Sequence, residues 1–279
     1  MTNAHRNYQV GVVLDECTSN LTGAMVDCGT MDKAEQRDPD EPAGAGDPSA
    51  IQSMFARIAP RYDLNNRLHS LGRDQAWRRQ AVRVSGVRPG ESVLDVACGT
   101  GDLAAIFAAA GARPVVGADL CQEMLDVARR KNAAGHAEPR IEFLQADAHG
   151  LPFADATFDI VSIAFGLRNL ADPQRALQEF HRVLKAGGRL IVLEFCPDGH
   201  GIAKAFIRWF TRVIMPRTAG AIAGDAGAYR YLHNSVQSFF RADQVAAAIR
   251  QAGFANVQTR TMTFSTVAIH RGEKDNDGH

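Results

Sequence analysis

No run of apolar residues in this chain approaches the ~20 needed to carry a helix across a bilayer, so the expectation is a protein that is soluble or at most peripheral. There is no excess of charge of either sign: 31 basic residues meet 31 acidic ones, and no global field points to nucleic acid or to an acidic substrate. The five cysteines (Cys17, Cys28, Cys98, Cys121, Cys196) are odd in number and show no CxxC spacing, which argues against a disulfide framework or a zinc site and fits a reducing, cytoplasmic setting. His149, His181 and His233 stand alone without ligand spacing, so each reads as structural or solvent-facing and no metal site is expected. A signal peptide would need a basic start with an apolar core, and a transit peptide an Arg-rich, acid-poor start; neither is present.

The neutrality hides an asymmetry. Residues 1–50 carry nine acids against Arg6, Lys33 and Arg37. The stretch Asp32 to Ala50 has too little apolar surface to offset the entropy of ordering. Residues 1–48 are therefore expected to be a disordered acidic tail, with a true start at Met31 or a nearby Met left open. One domain is expected over 49–274, followed by a polar tail, 275–279.

From residue 51 the pattern changes. Ile51 to Ala59 and Asp74 to Val84 read as short helices bracketing a loop, Arg61 to Asn66. An alternation of strands and helices follows: strands at Ser92–Ala97, Pro114–Ala118, Ile141–Gln145, Phe158–Ala164 and Arg189–Phe195, with helices at Asp102–Ala110, Gln122–Asn132 and Pro173–Leu184 between them. A helical stretch, Ile202 to Met215, a helix at Ala242–Gln251 and strands near Ala255–Thr261 and Thr263–His270 close the chain. Helix-length crossovers imply an α/β fold: a doubly wound, mostly parallel seven-stranded sheet of Rossmann-like type. The closing strands leave no room for a second crossover, so the last is expected to be an antiparallel insertion.

The turn from first strand to first helix reads Leu94-Asp95-Val96-Ala97-Cys98-Gly99-Thr100-Gly101-Asp102. In open α/β sheets ligands bind beyond the carboxyl ends of the strands. Gly99 and Gly101 allow close approach of backbone to a ligand, and Asp119 ends the second strand, where a carboxylate can accept both ribose hydroxyls. A dinucleotide fingerprint would share these features. Asp95 and Asp102 would repel a pyrophosphate, however, and Asp147-Ala148 offers a polar group near the adenine. A ring of Asp95, Asp102, Asp119 and Asp147 suits S-adenosylmethionine, which is cationic and has no phosphate.

Three further signatures narrow the reading. Tyr62-Asp63-Leu64-Asn65, Ser70-Leu71-Gly72 and Trp77-Arg78-Arg79 form the first. Phe165-Gly166-Leu167-Arg168-Asn169 with Asp172, running on to Leu193-Glu194-Phe195, forms the second. Tyr229-Arg230-Tyr231-Leu232 and Val267 to Gly272 form the third. Together they resemble the ubiquinone/menaquinone biosynthesis C-methyltransferases (UbiE-type) over residues 51 to about 274. The resemblance implies a class I methyltransferase using S-adenosylmethionine, with Thr100, Asp119, Asp147 and Ala148 at cofactor positions. Its implied substrate is a lipid quinol: demethylmenaquinol, a polyprenyl-methoxybenzoquinol, or both.

Methylating a quinol carbon requires electron density there, which deprotonation of the neighbouring hydroxyl supplies. Arg168 is expected to stabilise the phenolate and Asn169 to orient an oxygen or a water; the alternative pairs Arg168 with Asp172 at the surface. Tyr62 is expected to close over the ring or to be a core tyrosine. In Ile202–Met215, Lys204, Arg208 and Arg212 recur beside aromatic residues, a pattern shared by membrane-surface helices and by the solvated face of packed ones. Contact with the inner face of the plasma membrane and a homodimer both stay open; nucleic acid is not an expected partner.

Overall fold

The computed structural model describes residues 48–134, 141–196 and 240–276. All of them fall within one unit, Pro42–His279. The acidic tail, the helix expected over Ile202–Met215, the Tyr229–Leu232 block and His233 lie outside the described residues.

Seven strands form one sheet: β1 (Val93–Val96), β2 (Val115–Asp119), β3 (Glu142–Gln145), β4 (Phe158–Ala164), β5 (Leu184–Phe195), β6 (Ala255–Met262) and β7 (Val267–Glu273). Their order is β3-β2-β1-β4-β5-β7-β6. Strands β1 to β5 are parallel, and β7 lies antiparallel between β5 and β6. The antiparallel last strand is thus present, and it inserts rather than extending the edge. It begins at Val267 rather than Thr263, because Thr263, Phe264 and Ser265 take left-handed φ values of 50°, 55° and 61° to turn the hairpin.

The helices are α1 (Pro48–Ile58), α2 (Tyr62–His69), α3 (Arg73–Ser85), α4 (Asp102–Ala109), α5 (Gln122–Ala134), α6 (Pro173–Val183) and α7 (Ala242–Gln251). Alternation along the strands sends Leu94, Val96, Val161, Ile163 and Val192 to one face, against Leu177 and Phe180 of α6 and Ile249 of α7. Val93, Ile160, Ile191 and Leu193 point the other way, against Trp77 of α3 and Phe107 of α4. Helix α6 starts where Asp172 accepts the Arg175 N–H (3.0 Å) and Pro173 fills the first turn.

One expectation is corrected. Residues 61–66 are not a loop: a 3₁₀ turn over Ala59–Arg61 runs into α2. Periodicity misleads here because the polar Asn65 is buried while Leu64 and Leu68 are 59% and 42% exposed. The helix is held by polar contacts on its inner side, described next.

Candidate active site

The carboxyl ends of β1 to β4 open on a cavity of about 570 Å³, within the range of small-molecule sites. Strand β1 and its turn contribute Val96, Ala97 and Gly99; β2 contributes Asp119, Leu120 and Cys121; β3 is followed by Ala146 to Gly150; β4 is followed by Phe165, Gly166 and Asn169. Phe55 and Tyr62 close one side. Ala97 (φ 50°) and Phe165 (φ 58°) are both left-handed without being glycine, and such strained residues cluster at ligand sites.

Asp119 is fixed from two sides. The Gly99 N–H donates to its Oδ2 (2.7 Å) and the Cys121 N–H to its Oδ1 (2.9 Å). Burial pushes its carboxyl up, against those two hydrogen bonds. Gly99 has φ 55°, and a Cβ there would lie 3.9 Å from Tyr62 Cε1, so Tyr62 sits over the glycine turn. Gly101 serves a different purpose from the one expected. A Cβ on it would meet the Phe143 ring at 2.9 Å and Ala128 at 3.3 Å, so packing under the loop, not approach to a ligand, requires a glycine there.

The expected carboxylate ring contracts. Asp119, Asp147 and Ala148 line the cavity; Asp95, Thr100 and Asp102 do not. Asp95 is 1% exposed beneath the turn and accepts the Ser162 hydroxyl (2.8 Å). Burial pushes it up to about 7, against that hydrogen bond and the charge of Arg78. Thr100 is buried and its hydroxyl donates to Asp63 (2.5 Å). Asp102 is taken up by Lys131 (2.6 Å), Gln75 (2.7 Å) and Arg67 (3.3 Å). Burial raises its carboxyl, but Lys131 and the arginines bring it below the ordinary value. Lys131 also donates to Asp63 (2.6 Å). These contacts clasp α2 to the glycine turn and to α5.

The first two sequence signatures prove to be one assembly. The Trp77 ring lies 6.1 Å from Phe165 and 6.2 Å from Phe195, and the Arg78 guanidinium stands 5.3 Å over Phe165. Arg168 neither borders the cavity nor pairs with Asp172. Its guanidinium is buried against Glu194 (2.5 Å) and donates to the Phe165 carbonyl (2.6 Å). Asn169 does line the cavity, with its Nδ2 3.4 Å from the same carbonyl.

His149 and Arg175 line the cavity too, and the sequence did not single them out as site residues. The His149 ring bridges two loops: Nδ1 lies 2.6 Å from Asp147, and Nε2 accepts the Asp172 N–H (3.2 Å). That acceptor role places the neutral ring's proton on Nδ1, shared with Asp147. Burial raises the Asp147 carboxyl, but the hydrogen bonds from His149 bring it below its ordinary value. Only the Asp147–His–Leu–Pro spacing after a strand end could have marked this histidine.

A glycine turn with open space above it, a fixed acid at the end of β2 and further acids at the rim suit a cationic adenosyl cofactor. A pyrophosphate would find Arg175 as the one arginine or lysine among the lining residues. The fold agrees: a SAM-dependent methyltransferase from Thermotoga maritima (TM-score 0.57, 20% identity, covering 81% of this chain and all of that one) has the same architecture. So does the [4+2]-cyclase SpnF (TM-score 0.60, 20% identity, 83% and 97%). The fold is that of the class I S-adenosylmethionine-dependent methyltransferases, and the family match identifies the chain as one of these enzymes. The chain belongs to the ubiE/COQ5 methyltransferase family, whose profile matches residues 44–274. It is 48% identical to the demethylmenaquinone methyltransferase of Thermus thermophilus over 223 residues, 79% of this chain and all of the relative. It is 46% identical to the ubiquinone/menaquinone biosynthesis C-methyltransferase UbiE of Syntrophotalea carbinolica over 220 residues, 78% and 92% of the two chains.

Proposed function

We propose that this enzyme methylates a ring carbon of a polyprenylated quinol, demethylmenaquinol or the corresponding methoxybenzoquinol, as the names of its relatives suggest. The observation that carries the reading is the meeting of Tyr62, Phe165 and Asn169, from two signatures a hundred residues apart, with Asp119 and Asp147 on one cavity. Asp119 would hold the ribose, Asp147 and Ala148 the adenine, and Tyr62 would cover the glycine turn. S-adenosylmethionine, when bound, supplies a methyl group already activated by its sulfonium.

The chain's own work is then to align the quinol and raise the electron density of its carbon. The Asn169 amide would hold a quinol oxygen as its proton leaves for solvent or a neighbouring acceptor. Arg168 acts at one remove: bound to Glu194 and to the Phe165 carbonyl, it holds the left-handed turn on which Phe165 and Asn169 stand. It is a positioning residue in this reading, not a donor to phenolate. Tyr62 and Phe55, 6.1 Å apart edge to face, would pack on the quinol ring.

The test is transfer from labelled S-adenosylmethionine to a short-chain demethylmenaquinol and to a short-chain methoxybenzoquinol, with the product identified by mass. Wild type should methylate at least one at carbon. Asn169→Ala should keep cofactor affinity and lose on the order of 10²-fold in turnover, the scale of one lost transition-state contact. Failure of wild type on both quinols would overturn the proposal.

A further inference from the structure

Two loops carry the two halves of the proposed reaction, and one side chain joins them. Ala146 to Gly150, after β3, includes Asp147 and Ala148, the pair assigned to the adenine. Asn169 to Asp172, between the 3₁₀ turn after β4 and the start of α6, lines the same cavity and carries the amide assigned to the quinol. The near end of this second segment is set by the Asn169 N–H, which donates to the Gly166 carbonyl (3.0 Å), and by the Leu170 N–H on Leu167 (3.3 Å). Its far end is set by His149, whose Nε2 accepts the Asp172 N–H (3.2 Å).

The other ring nitrogen, Nδ1, lies 2.6 Å from the Asp147 Oδ1, and the same oxygen accepts the His149 backbone N–H (2.9 Å). A neutral imidazole offers one donor and one acceptor on a rigid plane. Here each serves a different loop. The His149 side chain is 17% exposed against 56% for Asp147, so water competes less for the ring than for the carboxylate it steadies. Arg175, in the first turn of α6, adds its charge to the pull on Asp147. The groups therefore run from the adenine side through Asp147, His149 and Asp172 to the segment headed by Asn169. A contiguous hydrogen-bonded chain of this kind can carry coupling free energy from one site to the other.

We infer that His149 is a positioning residue that couples the two sites: an adenine seated against Asp147 and Ala148 steadies the ring, the ring holds the Asp172 N–H, and Asn169 is thereby set for the quinol oxygen. The inference rests on the proposed quinol substrate. Because linkage is reciprocal, a bound quinol must tighten the cofactor by the same factor.

The test is a titration with S-adenosylhomocysteine, which fills the cofactor site but has no methyl group to transfer. It is run alone and with a saturating short-chain demethylmenaquinol or methoxybenzoquinol kept reduced. In wild type the quinol should tighten S-adenosylhomocysteine about fivefold or more, the lower end of ordinary coupling between sites. Two substitutions cut the bridge at opposite ends. In His149→Gln the amide oxygen reaches the place of Nε2 and still accepts the Asp172 N–H, while the donor to Asp147 is lost. In His149→Asn the amide nitrogen takes the place of Nδ1 and still donates to Asp147, while the Asp172 N–H loses its acceptor. Coupling should fall to about twofold or less in both. Quinol affinity without cofactor should stay near wild type in His149→Gln and weaken roughly fivefold in His149→Asn, the worth of one hydrogen bond. Both variants should keep S-adenosylhomocysteine affinity within a few-fold of wild type, since Asp147 retains the backbone N–H, and this reports a folded site. Wild-type coupling in either variant would overturn the inference. So would an equal loss of quinol affinity in both, the mark of a merely structural ring. A wild type that methylates quinol without coupling overturns the inference alone. One that neither binds nor methylates either quinol overturns the substrate reading, and the inference with it.

Discussion

At the scale of single residues, the acids and arginines of the site divide by what they touch. Asp95 reads from sequence as a cofactor ligand and is instead a buried carboxyl under the loop, pushed up to about 7. The folded state therefore binds a proton that the unfolded chain releases near pH 4, and this group subtracts stability as pH rises from about 4 to about 7. A shift of that size corresponds to a penalty on the order of 4 kcal/mol above pH 7. Asp95→Asn, which can still accept from Ser162, should raise the melting temperature at pH 8 and change it little at pH 5. Equal effects at both pH values would show that Asp95 is ionised in the fold throughout. Arg168 was readable as important but not as to its role, since its partner Glu194 lies 26 residues away on another strand. Arg168→Ala leaves that carboxylate buried without its cation, a loss of roughly 3–5 kcal/mol, so the variant should melt well below wild type. Arg168→Met with Glu194→Gln should recover most of the melting temperature but not the turnover. A double variant as unstable as Arg168→Ala would mean that Glu194 is not what the arginine neutralises.

The elements show where pattern reading succeeds and fails. The strands were legible because each is a short apolar run bounded by glycine or acid, and the core repeats that alternation: Leu94 and Val96 on one face, Val93 on the other. Helix α2 was not legible because its stability is polar and non-local. Asp63 and Arg67 reach Thr100, Lys131 and Asp102 from elements 35 to 68 residues distant, and its leucines face outward. Helix periodicity reports burial of apolar residues, so a helix that buries its polar side is invisible to it. The clasp also makes a prediction. Lys131 is the cation between Asp63 and Asp102 (2.6 Å to each), partly exposed, so its removal should cost on the order of 1 kcal/mol. Lys131→Met should loosen α2 from the glycine turn and weaken S-adenosylmethionine binding about five- to tenfold by that estimate, with faster hydrogen exchange confined to α2. Unchanged affinity together with unchanged exchange would show that packing of Tyr62 and Phe55 alone holds the helix.

At the scale of the whole molecule, the parallel strands put every site element on one edge, while further ion pairs, such as Arg189 with Glu91 (2.6 Å) and Lys185 with Asp159 (2.8 Å), brace the opposite one. The fold class was readable because crossover lengths and the antiparallel hairpin leave few topologies. The cavity lining was readable only in part, because a strand-end motif gives a residue's position and not which way its side chain points. The acidic residues 1–43 precede the family match, which begins at 44. The buried apolar core among the described residues begins at Met54 and is complete between the two faces of the sheet without them. A protein starting at residue 44 should thus keep its melting temperature and its turnover of short-chain quinol, since none of the described hydrogen bonds or core contacts is removed. A fall of several degrees in melting temperature on truncation would show instead that the acidic segment packs on the domain.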